Sequence, residues 1–89
     1  MIQRAFKISN RLGLHARPSA QLTQVASRFQ SEVFLTRDGR RVNAKSIMGV
    51  MMLAAGPGST VAVDAEGPDE ESAVAAIGAL IESRFGEDH

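Results

Sequence analysis

The stretch Gly13-Leu14-His15-Ala16-Arg17-Pro18 decides how the chain folds, because the hydrophobic period changes within it. Before it, residues 2–8 alternate loosely between apolar and polar side chains, which is typical of a strand. After it, apolar residues recur at helical spacing: Ala20, Leu22, Val25, Ala26 and Phe29. Proline is tolerated in a first helical turn, where its missing N–H has no intrahelical partner. Pro18 therefore predicts a helix that begins between His15 and Arg17.

Strand and helix patterns alternate through the rest of the chain. Further strands are predicted over Ser31 to Thr36, Arg40 to Asn43 and Thr60 to Glu66, and Asp38-Gly39 is a hairpin turn. Further helices are predicted over Ile47 to Leu53 and from the acidic start at Asp69 to Glu71 as far as Gly86. The order βαββαβα indicates an α+β fold, an open-faced β-sandwich with three helices on one face of a four-stranded, mainly antiparallel sheet. No linker or repeat interrupts it, so residues 1–89 are expected to form one domain.

Composition excludes several classes of protein. The 89 residues are 44% hydrophobic and 22% charged, as in a globular domain and unlike a disordered chain or a fibre. The absence of cysteine excludes a disulfide framework and a thiolate metal site, and it suits a reducing compartment. The N-terminus lacks the apolar segment of a signal peptide, and the longest apolar run is about half of what spanning a bilayer needs. We expect a cytoplasmic protein with no membrane partner.

Charge is distributed unevenly along the chain although it sums to zero. Residues 1–45 hold nine of the ten Lys and Arg and two acids, whereas residues 46–89 hold one basic residue and eight acids. Such a bias indicates either an acidic protein partner or nucleic acid. The basic residues are scattered, and no recognition motif or aromatic stacking pair accompanies them. We therefore expect a protein partner and no nucleic acid.

A histidine directly before a helix lies beside unpaired backbone N–H groups and the positive end of the helix dipole, which together bind anions. His15 takes this position, and Arg17 adds a guanidinium that can pair with phosphate oxygens. Because Pro18 fixes its φ angle, the N–H groups of Ala16 and Arg17 should point outward as phosphate-binding donors. A cationic ring is disfavoured here, so we expect a neutral, nucleophilic imidazole. The pattern favours a histidine that takes up a phosphoryl group.

Other kinds of catalytic site lack essential parts. A metal site needs several ligands, and the only other histidine is the terminal His89. A serine hydrolase needs a nucleophile elbow and an acid partner, and neither occurs. Gly56-Pro57-Gly58-Ser59 lacks the Lys-Ser/Thr ending of a phosphate loop and is interpreted as a turn. We expect no metal and no cofactor.

The stretch KSIMGVMML, residues 45–53, predicts a short helix that begins after Ser46, a favourable N-cap residue. Val50 and Leu53 are assigned to the core, but so short a helix cannot bury all its other apolar side chains on one side. Those remaining side chains suggest an adaptable protein-docking patch: Ile47, Met48, Met51 and Met52. Ser46 is also a plausible phosphorylation site, where added negative charge would favour the helix and repel an acidic partner.

GLHARP at 13–18 and KSIMGVMML at 45–53 together resemble the HPr family, the histidine-containing phosphocarriers of the bacterial phosphoenolpyruvate-dependent phosphotransferase system. The resemblance covers the whole chain. It implies that His15 accepts a phosphoryl group on Nδ1 from enzyme I and passes it to an enzyme IIA partner, as an intermediate and not an autonomous catalyst. It implies that Arg17 stabilises the phosphate. The implied docking residues are Ile47, Met48, Met51 and Ala20.

The same resemblance implies a regulatory role for Ser46, which matches the serine that a dedicated kinase phosphorylates in many relatives. HPr kinase/phosphorylase and transcriptional regulators are therefore further implied partners. Residues 10–13 and the tail at 85–88 look like the nitrogen-type branch of the family, whereas KSIMGVMML looks more like members with a regulated serine. The tail runs past Phe85, which argues against the role suggested in some relatives for a terminal carboxylate near the site.

Two functions of other classes remain open at this level. The chain could act mainly as a regulatory interaction module that binds a kinase or a transcriptional regulator, with Ser46 as the switch and His15 secondary. A small domain that binds nucleic acid through its basic half ranks last. The sequence does not distinguish a sugar-type from a nitrogen-type pathway, and we expect a monomer.

Overall fold

Four strands pair into one antiparallel sheet in a computed structural model that describes residues 1–87. They are β1 (Ile2–Lys7), β2 (Glu32–Arg37), β3 (Arg40–Asn43) and β4 (Thr60–Glu66). The spatial order is β1-β4-β2-β3. Pairing places Phe6 opposite Val61 and Leu35 opposite Val63, so apolar side chains of neighbouring strands face the same layer.

The helices of the described chain are α1 (Ala16–Ala26), α2 (Ile47–Met52) and α3 (Glu70–Glu82), followed by a 3-10 turn at Arg84–Gly86. α3 lies against β1, β4 and β2, and α1 packs against α2 and α3. The helices thus cover one face of the sheet. The predicted open-faced β-sandwich and its order βαββαβα are confirmed.

The core lies between the sheet and the helices. Apolar side chains of the strands alternate with polar ones, so that Val61, Val63 and Ala65 of β4 are buried against the helices. The other fully buried large apolar side chains are Ile8, Leu22, Val33, Leu35, Val50, Val74, Ile77 and Ile81. On the opposite face of the sheet, Asp64 pairs with Arg41 at 2.8 Å, and Arg41 also stacks 3.7 Å from the Phe34 ring centre.

Two predicted helix ends are wrong. α1 ends at Ala26, and Phe29, predicted on its apolar face, lies in the following turn and packs against the core from there. α3 ends at Glu82, short of the predicted Gly86, because Arg84 and Phe85 adopt positive φ angles of 57° and 56°. Phe85 is still buried, as its place in the apolar stripe predicted.

Asp69 joins the chain before β2 to the start of α3. Its carboxylate accepts hydrogen bonds from the Ser31 hydroxyl and from the backbone N–H groups of Gln30 and Ser31, at 3.0 and 2.9 Å. These bonds, that of the Ser31 side chain foremost, hold the pKa of Asp69 below its ordinary value. The acidic cluster is a helix start, as predicted, with Glu70 and Glu71 in the first turn of α3.

Candidate functional site

His15 is the N-cap residue of α1, with φ −81° and ψ −170°. Its carbonyl accepts the Ser19 N–H at 3.0 Å, while its imidazole makes no capping hydrogen bond. The side chain is 36% exposed. The ring is therefore accessible to a partner at the N-terminus of a helix, as the sequence predicted.

The loop before His15 is held against the segment that follows α2. Leu14 is buried, and its N–H donates to the Ala55 carbonyl at 2.8 Å. Gly13 has a φ angle of +67°, and a Cβ built on it would lie 2.7 Å from the Gly56 Cα and closer still to the Ala55 carbonyl oxygen. Because only glycine fits this close approach, Gly13 fixes the path of the chain into His15.

The first turn of α1 supplies the anion-binding groups. The first amides of a helix have no intrahelical acceptor, and Pro18 has no N–H, so the N–H groups of Ala16 and Arg17 remain as donors. Pro18 and Ser19 are buried, and the Ser19 hydroxyl donates to the Leu14 carbonyl at 3.2 Å, which anchors the turn. Arg17 belongs to the same turn, and its side chain is exposed. This arrangement can bind a phosphoryl group next to an imidazole.

Ser46 is the N-cap residue of α2, as predicted. Its hydroxyl oxygen accepts the Gly49 N–H at 3.1 Å, and the residue is partly exposed. α2 packs against α1, so the element that begins at Ser46 neighbours the element that begins after His15. A charge added at Ser46 would thus change the surface next to the helix that carries the His15 site.

The predicted docking patch is exposed to solvent in part. Met48 is 69% exposed and Met51 38%, whereas Val50 and Leu53 are buried, as the sequence indicated. Ile47 and Met52 are also exposed, and Ala20 on α1 is half-buried. Leu12, in the loop before His15, adds a further exposed apolar side chain. The structure places these residues on α1, α2 and the loop that carries the site.

Glu87 belongs to the site although nothing in the sequence indicated it. Its Oε2 lies 3.5 Å from His15 Nε2, and its Oε1 accepts from Asn10 Nδ2 at 3.4 Å. The sequence argued only against a role for the carboxylate of the chain terminus, which is a different group from this side chain. No spacing in the sequence signals the contact, since it joins residues at opposite ends of the chain.

Within residues 1–87, no group of three or more His, Cys, Asp or Glu side chains is placed to hold a metal ion. Asp88 and His89, which entered the sequence arguments, lie outside the described residues. Each helix within residues 1–87 is too short or too polar to span a bilayer.

Known proteins share this fold and much of this sequence. The family model described as the PTS HPr component phosphorylation site matches residues 2–83. The phosphocarrier protein HPr of Cupriavidus necator is 62% identical over 87 residues, which cover 98% of each chain. The crystal structure of HPr-C-His from Thermoanaerobacter tengcongensis has a TM-score of 0.97 at 48% identity and covers 100% of both chains. An HPr dimer from the same organism has a TM-score of 0.79 at 49% identity, over 98% of this chain and 100% of that one.

The match of the family model spans most of the chain and includes GLHARP and the start of α2. The relatives resemble this chain in sequence over nearly their whole length, and they have the same fold. The chain belongs to the HPr family and is a phosphocarrier of the phosphotransferase system.

Proposed function

We propose that His15 carries the phosphoryl group, which it receives from phosphorylated enzyme I and passes to an enzyme IIA component. The observation that supports this assignment is the N-cap position of His15, where the backbone caps α1 and the half-exposed ring is left for chemistry. In this proposal the Nδ1 lone pair forms the bond to phosphorus while the bond from phosphorus to the donor breaks, and the donor keeps that electron pair.

The oxygens of the transferred group would be bound by the first turn of α1. The N–H groups of Ala16 and Arg17 lie at the positive end of the helix, and the exposed Arg17 side chain would add its guanidinium to them. These donors are in place before transfer, so little reorganisation is needed as the phosphoryl group arrives.

The partner proteins would dock on the apolar patch beside the site. Ile47, Met48 and Met51 are exposed on α2, and Ala20 lies on the neighbouring helix α1. Flexible methionine side chains suit a surface that must fit more than one partner in turn. Enzyme I and enzyme IIA would then use overlapping contacts, one after the other.

Transfer of labelled phosphate from phosphoenolpyruvate through enzyme I tests the assignment. His15→Ala should accept no label, and an unchanged rate would overturn the proposal. Arg17→Ala should fold normally and accept label roughly 10- to 100-fold more slowly, since it loses a charge-assisted contact to phosphate. Arg28→Ala, an exposed arginine just beyond α1, is the matched control and should keep the normal rate.

Regulation through Ser46 is a second part of the proposal, and the partly exposed N-cap position of this serine supports it. HPr kinase/phosphorylase would modify it, and transcriptional regulators would bind the modified form. Incubation with such a kinase should phosphorylate the wild type and not Ser46→Ala, and the product should accept label at His15 more slowly. Equal rates for both forms would remove Ser46 from the regulation of transfer.

We also propose that one chain is the acting unit and that it acts in the cytoplasm. The contacts of Glu87 with Asn10 and His15 form within the fold of one chain. The cysteine-free sequence suits a reducing compartment. Because a related HPr forms a dimer, light scattering during the transfer assay is the relevant check. A dimer that alone accepts label would contradict this part.

A further inference from the structure

The carboxylate of Glu87 lies at the Nε2 edge of the His15 ring, and the proposed phosphoryl transfer uses the other nitrogen, Nδ1. Its Oε2 is 3.5 Å from His15 Nε2, which is the ring nitrogen other than the proposed acceptor Nδ1. Both side chains are partly shielded, at 36% exposure for His15 and 22% for Glu87. At this distance and exposure a carboxylate favours a proton on the facing nitrogen.

The turn after α3 brings Glu87 to this position. Arg84, Phe85 and Gly86 all have positive φ angles, which reverses the chain where the helix would otherwise continue. The Glu87 N–H donates to the Arg84 carbonyl at 2.9 Å, and the buried Phe85 ring fixes the turn to the core. Left-handed backbone at two residues other than glycine costs free energy, so the fold holds this turn in place through Phe85.

Asn10 links the turn to the loop that leads into His15. Asn10 is completely buried, and its Nδ2 donates to the Gly13 carbonyl at 2.9 Å and to Glu87 Oε1 at 3.4 Å. One amide group therefore joins the turn that holds Glu87 to the loop that leads into His15. Glu87 is held on one oxygen and faces His15 with the other.

We propose that Glu87 is a positioning residue for His15, an inference that rests on the proposed function. Its carboxylate keeps the proton on Nε2 and so leaves the lone pair on Nδ1, where it points to the phosphoryl group. As the Nδ1–P bond forms and the donor departs with its electron pair, the ring gains positive charge while the Nε2 proton stays in place. Glu87 offsets that charge.

Different groups act on the ring and on the phosphate in this step. The positive end of α1 and the Arg17 side chain would bind the incoming phosphate. Glu87 acts from the other side of the ring, where no phosphate oxygen has to be placed. The positive charge that develops on the ring can thus be offset without hindering the binding of phosphate.

Two readouts test the proposal on the whole protein. The 15N chemical shifts of the His15 ring, recorded where the ring is neutral, report which nitrogen carries the proton. Glu87→Ala should lower the fraction protonated on Nε2 and slow label transfer about two- to fivefold, the range of a partly exposed charge pair. Glu87→Gln, which keeps an acceptor oxygen without the charge, should change the tautomer less and still slow transfer.

Glu71→Gln is the control, because this exposed residue in the first turn of α3 changes net charge equally. It should leave both readouts unchanged. Wild-type ring shifts in Glu87→Ala would overturn the proposal, including the case in which transfer slows while the tautomer stays the same. His15→Ala in the same assay separates the failures: label on that variant would contradict the proposed function, whatever the ring shifts of Glu87→Ala show.

Discussion

Gly13 shows how a single residue can determine the position of a reactive side chain two residues away. Its φ angle of +67° and its close approach to Ala55 and Gly56 set the direction in which the chain enters α1. His15 then receives its N-cap backbone conformation from this entry. The glycine therefore acts on the site through the backbone.

Gly13→Ala should destabilise the protein by about 2–4 kcal/mol, because it combines a strained φ angle with a clash against backbone atoms. Gly58→Ala is the matched control, since Gly58 also has a positive φ angle of 88° but a Cβ added there would meet nothing within 4 Å. Its cost should be about 1 kcal/mol. Urea unfolding measures both, and equal losses would show that the packing against Gly56 contributes nothing.

His15 and Arg17 were identifiable from the sequence because a proline in a first helical turn fixes the helix start locally. Glu87 was not, since its contact with His15 depends on the packing of Phe85 in the core. A glycine after a helix often marks a left-handed end, and Gly86 was such a signal for the turn. Nothing local, however, indicated which side chain the turn would face.

At the scale of elements, the sheet and the helix order followed from hydrophobic periods, whereas the helix ends did not. The apolar stripe of α3 continues to Phe85, which is buried from a 3-10 turn and not from the helix itself. Phe29 is likewise placed at a helical interval but lies beyond the end of α1. A periodic apolar pattern indicates which side chains are buried, and side chains beyond the end of a helix can also be buried. The pattern alone therefore does not locate the helix end.

Asp69, which joins the chain before β2 to the start of α3, makes the free energy of unfolding depend on pH in the acidic range. Its pKa is lowered on folding, so it contributes stability above its unfolded value of 3.8, and that contribution is lost as pH falls through the lower folded value. Asp69→Asn should therefore be less stable than the wild type at pH 7, and the difference should shrink below about pH 4.

Urea unfolding at a series of pH values measures this difference. Asp38→Asn, at a residue whose side chain is 83% exposed, is the control and should give a small difference. A gap between wild type and Asp69→Asn that stays constant down to about pH 3 would contradict the assignment. Glu70, whose pKa is also lowered, chiefly by the Gly67 N–H, is present in all three proteins.

Two substitutions at Ser46 test separately how this residue stabilises α2 and how charge at this position affects binding. Ser46→Ala removes the N-cap hydrogen bond to Gly49 and should cost about 1 kcal/mol in thermal or urea unfolding. Ser46→Asp should retain most of the stability, because aspartate also caps helices, but it should weaken binding to an acidic partner surface several-fold. If Ser46→Asp bound enzyme I as well as the wild type, charge at this position would have no part in regulation.

The distribution of charge over the folded molecule differs from its distribution along the sequence. The basic first half and the acidic second half do not form two separate lobes, because β4 lies between β1 and β2 in the sheet. Arg11 and Arg17, four residues before and two residues after His15 in the chain, are exposed, whereas Glu70 and Glu71 lie at the opposite end of α3 from Glu87. The positive charge that matters for docking is the part that the fold places around the site.

Association with enzyme I should therefore slow as salt rises, by about tenfold or more between low and high ionic strength, since steering by exposed charge is screened. Stopped-flow measurement of the association rate tests this. Arg11→Gln should reduce the salt dependence, while Arg4→Gln, an exposed residue in the middle of β1, should leave it nearly unchanged. A rate independent of salt in the wild type would mean that apolar contacts alone guide docking.

The most direct measurement is NMR of the 15N-histidine-labelled protein after reaction with phosphoenolpyruvate and enzyme I. Coupling between 31P and a ring nitrogen identifies the atom that carries the phosphoryl group. We predict phosphorus on Nδ1 of His15, with Nε2 still protonated beside Glu87. Phosphorus on Nε2, or on any other residue while His15 remains unmodified, would contradict the mechanism.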